Sequence, residues 1–66
     1  MTNRTAELAS LAAQMGLSLS AAVALPTAVT VAARKVGMDE ARFIREMNRN
    51  GELRAYVASA CHKAAA

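Results

Sequence analysis

Apolar positions recur at helical spacing along most of the chain. Between residues 5 and 15, Leu8, Leu11, Ala12 and Met15 fall at i, i+3, i+4 and i+7, which is one stripe of an amphipathic helix. Thr2, Asn3 and Thr5 are cap candidates ahead of it, and Glu7 suits the positive end of its dipole. Gly16 follows as the stop, with Leu17 placed to fold back on the last turn.

The next stretch, residues 17–26, carries two patterns at once. Leu17 and Leu19 alternate with serines as an edge strand would, but no second strand-like segment exists to pair with them. A short helix over 20–25, capped by Ser18 or Ser20, is the better reading. Pro26 biases Leu25 away from helical angles and is favoured as a first helical residue, which places a break there and a further helix over 26–36. On that helix Val29, Ala32, Ala33 and Val36 share a face. Val31 points away from them, among Thr27, Arg34 and Lys35, and offers an apolar surface for an interface.

Gly37 then breaks the pattern in the position where a left-handed residue ends a helix, with the basic pair Arg34 and Lys35 at the negative end of the dipole. Asp39 stands where an N-cap belongs, Met38 where a staple residue would, and Glu40 in the first turn. The helix over 39–48 has two faces. Phe43, Ile44 and Met47 make the apolar one, and Arg42, Arg45 and Arg49 stack on the other at i, i+3 and i+7, with Glu46 in reach of Arg42 or Arg49. A last helix over 52–63 starts from Asn48 or Asn50. Leu53, Tyr56, Val57, Ala60, Cys61 and Ala64 form its stripe, opposite Arg54, Ser59, His62 and Lys63. Tyr56 sits either at the rim of the core or as an aromatic anchor of an interface.

These periods describe an all-α chain, a single domain of about four short helices with no β-sheet. Sixty-six residues lie near the lower limit for burying a sufficient core, and alanine supplies much of the 55% apolar content, so a homodimer is expected to add what one copy lacks. The lone Cys61 excludes an internal disulfide and suits a reducing cytoplasm, where a small buried apolar role is expected of it. No charge occurs between Glu7 and Arg34, yet Gln14, Gly16, two serines, Pro26 and two threonines interrupt that run, so no membrane span is expected.

Catalytic ingredients are absent from the pattern: there is no nucleophile with a base beside it, no paired acids in an apolar setting, no phosphate loop and no metal-ligand spacing. His62 has no second histidine to work with. The expectation is a non-enzymatic chain without cofactor or metal. A net charge of +3 and a pI near 9.8 favour an anionic partner without choosing one.

Two binding readings follow. The first is an interaction module, an adaptor, inhibitor or assembly factor, meeting an unidentified protein partner through the arginine stripe and the apolar Val31 and Tyr56. The second is a double-stranded DNA binder of helix-turn-helix type. Ala33, Gly37 and Phe43 match that motif's small residue, turn glycine and buried residue in spacing, with Val36 and Met38 as flanks. Arg42, Arg45 and Arg49 would then meet phosphates or guanine edges, and Arg34 and Lys35 the flanking backbone. The motif is departed from at Glu46, where a buried residue is wanted, and at Ile44, where a base reader is wanted; a register shifted onto Met47 would repair the packing.

Overall fold

The structure, a computed structural model, describes residues 4–65. Four helices follow one another: α1 Arg4–Gln14, α2 Leu19–Val36, α3 Glu40–Arg49 and α4 Gly51–Ala65. No strand occurs among the described residues. At 1.5 Å per residue the 18 residues of α2 reach about 27 Å, the full long dimension of a molecule measuring 27 × 26 × 19 Å. It packs on all three other helices, most extensively on α4, while α1 meets α2 and α3 without touching α4.

The break expected at Pro26 is absent. Helices expected over 20–25 and 26–36 are one, with Ser18 as its N-cap and Pro26 inside it. Proline removes a single backbone bond, the one to the carbonyl of Ala22, and strains the turn before it. Against that, an unbroken helix puts Ala21, Leu25, Val29, Ala32 and Ala33 on one buried side, so Leu25 and Val29 hold the register on either side of the proline. Leu25 and Val29 so buried contribute roughly 3–6 kcal/mol together, which matches or exceeds the proline penalty of about 3 kcal/mol. Burial therefore wins over the local preference.

Both stops are glycines in the left-handed region. Gly16 has φ 65° and Gly37 has φ 71°. In each case the glycine N–H and the next N–H donate back to carbonyls of the last turn: Gly16 to Ala13 and Leu17 to Ala12, Gly37 to Arg34 and Met38 to Ala33, at 2.9–3.2 Å. Leu17 and Met38 then pack against the core, as such stops favour. Asp39 caps α3, its carboxylate accepting the Arg42 N–H at 2.9 Å. Asn50 serves two helices. Its own N–H closes α3 on the Glu46 carbonyl, and its side-chain oxygen accepts the N–H groups of Glu52 and Leu53 at the start of α4.

Several positions differ from expectation. Thr5 lies inside α1, so it is no cap; Thr2 and Asn3 fall outside the described residues. Val36 faces the core side but stands at the last turn of α2, past the reach of its neighbours, and is exposed, as are Tyr56 and Ala64 on α4. Arg54, expected on the open side of α4, is half-buried and donates to the Met47 carbonyl at 2.7 Å, satisfying an acceptor in the last turn of α3. Phe43, Leu11, Leu25, Ile44, Met47, Val29, Val57 and Cys61 are the largest fully buried side chains, and no buried side-chain polar atom among the described residues lacks a partner.

Nothing lies within 4 Å of where a Cβ at Gly37 would stand, so Gly37→Ala is expected to cost about 1–2 kcal/mol through backbone strain alone. Urea unfolding followed by circular dichroism measures it. The same assay on Pro26→Ala is expected to show a gain of about 1 kcal/mol or more, because alanine restores the missing bond and the proline penalty inside a helix is about 3 kcal/mol. A loss would show that the proline ring packs better than it disrupts.

Candidate binding surface

α3 is ten residues long and strongly two-faced. Phe43, Ile44 and Met47 are buried, which turns Ala41, Arg42, Arg45, Asn48 and Arg49 outward. The three arginines stand near the middle of that outward face, as their i, i+3, i+7 spacing requires. Glu46, half-buried beside them, takes Arg49 as its partner at 2.6 Å, so of the two pairings open to it the one at i+3 forms. With the Arg49 side chain 72% exposed, the pair is a surface ion pair worth at most about 1 kcal/mol. Arg42 and Arg45 make no ion pair among the described residues.

Arg34 and Lys35 are exposed in the last turn of α2, just before the Gly37 turn that leads into α3. Five cations and three carboxylates thus share the stretch from Arg34 to Arg49, leaving it net positive by two. The carboxylates are not spread evenly. Asp39 is committed to its cap, and Glu40 is drawn toward α2, where the Thr30 hydroxyl lies 3.1 Å from its Oε2 and 3.0 Å from the Pro26 carbonyl. A small cleft of about 260 Å³, walled by Thr30, Ala33, Arg34, Met38, Asp39 and Glu40, opens at this corner. Its two acids make it unsuited to anions, so the cationic part of the surface is the middle and far end of α3.

No family model, curated protein or solved structure matches the chain.

Ile44 decides how far the helix-turn-helix pattern extends. It is 1% exposed and Met47 is fully buried, so α3 seats in the register shifted onto Met47, and the residue at the base-reading position is part of the core. Val36, a flank of that pattern, is exposed. The spacing of Ala33, Gly37 and Phe43 is present and all three do their structural work, since Ala33 and Phe43 are buried and Gly37 turns the chain. What the rotation of α3 changes is the outward set, which becomes arginine with Ala41 and Asn48.

Elsewhere Val31 is 49% and Tyr56 is 54% exposed. Leu19 at 84% and Val23 at 74% are more exposed still, and neither is among the interface positions expected from the sequence. Their signal was available: on an unbroken α2 they stand one turn apart on a side away from Ala21, Leu25 and Val29. Cys61 is fully buried, and desolvation pushes its thiol above the ordinary value of 9.0.

Because Arg54 satisfies a backbone carbonyl and Arg42 and Arg45 do not, Arg54→Ala is expected to lower stability by about 1 kcal/mol, and Arg42→Ala and Arg45→Ala by less than about 0.5 kcal/mol each. Thermal unfolding of the three variants separates them. For Cys61, a thiol whose folded pKa lies above its unfolded one binds more protons when folded. Its contribution is therefore fully present below the unfolded value and is lost as pH climbs through the folded one. Stability is expected to fall as pH climbs above about 9 in the native chain and to fall less in Cys61→Ala.

Proposed function

We propose that this chain is a non-enzymatic interaction module of the reducing cytoplasm, without cofactor or membrane span, that docks an acidic surface of a partner protein on the outward face of α3. The observation that carries the reading is the exposure of Arg42 and Arg45, without a carboxylate partner among the described residues, on a helix otherwise fixed by its buried side. Arginine is enriched at protein interfaces, and its planar guanidinium makes a charge-assisted bidentate contact with a carboxylate, losing less entropy per hydrogen bond than a lysine would. Arg49, already shared with Glu46, completes the row. Lys35 and Arg34 widen the positive field and steer an acidic partner toward it. By length and composition α2 alone among the described residues resembles a membrane-crossing helix, at a mean hydropathy of 1.3, but its buried side is engaged with the other three helices of the chain.

Double-stranded DNA is the second reading, favoured by the gathering of five cations over α3 and the end of α2. The magnitudes favour protein. On α3 itself only Arg42 and Arg45 are uncommitted among the described residues, so the helix that would enter the groove neutralises about two phosphates, a contribution to the salt slope near −2. Asp39 and Glu40 stand at the N-terminal end of α3, the end that a reading helix directs at the bases, and there they would oppose the phosphates.

Two experiments divide the readings. Affinity capture from cell extract, with Arg42→Ala/Arg45→Ala as control, is expected to retain an acidic protein that the double variant loses and that moderate salt releases. Fluorescence anisotropy with a labelled mixed-sequence duplex is expected to give a log-log salt slope shallower than about −2. A slope of about −3 or steeper, abolished by Arg45→Ala, would move the assignment to DNA.

A further inference from the structure

One side of the molecule carries apolar surface that nothing else in the described chain covers. Leu19 and Val23, at 84% and 74% exposure, stand on the first turns of α2. Beside them a groove of about 280 Å³ runs between α1 and α2, walled by Leu8, Ala9, Ala12, Ala22, Val23 and Pro26 among others. No charged residue lines the groove, and the chain has none between Glu7 and Arg34. An acidic peptide or a nucleic acid therefore finds no counter-charge here, and the occupant must itself be apolar and uncharged.

We propose that this face pairs with the same face of a second copy of the chain, in a two-fold dimer. A two-fold interface must be self-complementary, with projection and recess on one surface, and this surface has both. Val23 is placed on the axis, so that the two copies of α2 cross antiparallel. A residue four positions before the axis on one copy then faces residues three to four positions beyond it on the other. That brings Leu19 to the Pro26 end of the opposite groove, twice over. An apolar cavity of about 150 Å³ accepts benzene, so a recess of about 280 Å³ has room for a leucine side chain. The alanines on the walls of the groove, Ala9, Ala12 and Ala22, allow the helices of the two copies to approach closely.

The small size of the face points to a weak pairing. Two helices about 10 Å apart, of which α1 is roughly 16 Å long, present a face that hides on the order of 1,000 Å² in total when doubled. That is the low end of specific interfaces, where a dissociation constant on the order of micromolar is expected. The pairing uses none of the arginines of α3, so it holds or fails independently of what those arginines bind.

Sedimentation velocity on the whole chain, from about 1 to about 500 μM, is expected to show a monomer passing to a dimer. Val23→Asp and Leu19→Asp should each weaken the dimer at least about 100-fold, with unchanged helical circular dichroism because both side chains are exposed. Val31→Asp, two turns on and about 80° round the helix, should leave it intact. As a check that does not weaken the pairing, Val23→Cys should form a disulfide-linked dimer on mild oxidation, since the two sulfurs meet at the axis, and Val31→Cys should not. A wild type that remains monomeric throughout overturns the proposal, as does a dimer insensitive to Val23→Asp. A monomer that instead binds vesicles of zwitterionic lipid through Val23 also overturns it, and gives the face to a membrane surface.

Discussion

One-sided burial of α2 is the constraint from which the rest of the structure follows. A chain this short has few large side chains to spend, and it places Leu25 and Val29 on the same side of one long helix as three small ones, Ala21, Ala32 and Ala33. The alanines let neighbouring helices come close, and the branched residues fill what space remains. Val57 and Cys61 from α4, Phe43, Ile44 and Met47 from α3, and Leu8 and Leu11 from α1 complete a single cluster. Breaking α2 at its proline would have divided that cluster.

Short, well-satisfied connections carry this arrangement outward. Two glycine stops of the same design return the chain after α1 and α2, and Asn50 ends one helix and begins the next within a single residue. There is little slack in such joints, so the rotation of each helix is settled by which residues it buries. For α3 those are Phe43, Ile44 and Met47, and the arginine face is what is left over. The candidate surface is thus a product of packing, and its rigidity is that of the core behind it.

The two exposed surfaces differ in kind. The face of α3 is cationic, with Arg49 tied to Glu46 and Arg42 and Arg45 uncommitted among the described residues, which suits a partner recognised by charge. The α1 and α2 face has no charge and large aliphatic side chains in water, which suits a partner recognised by shape and apolar burial. If both are used, a two-fold pair would display its arginine rows in duplicate and gain in avidity toward a partner with repeated acidic patches.

Much of this was legible in the residues because the information is local. Helical periods located the apolar stripes of α1 and α3, Gly16 and Gly37 marked the stops, and Asp39 marked the start of α3, since caps and left-handed turns depend on residues a few positions apart. The outward arginine row was legible for the same reason. What only the tertiary structure decided were contests between local preference and distant burial. Pro26 argues locally for a break and was overruled by Leu25 and Val29 finding a common core. Val36 and Tyr56 carry apolar side chains yet stay in water, and Arg54 carries charge yet bonds the end of α3, because the reach of neighbouring helices is not written in the spacing of any one of them. Leu19 and Val23 stand one turn apart in the first turns of α2, and only the packing of the other helices decided that this side of it stays uncovered.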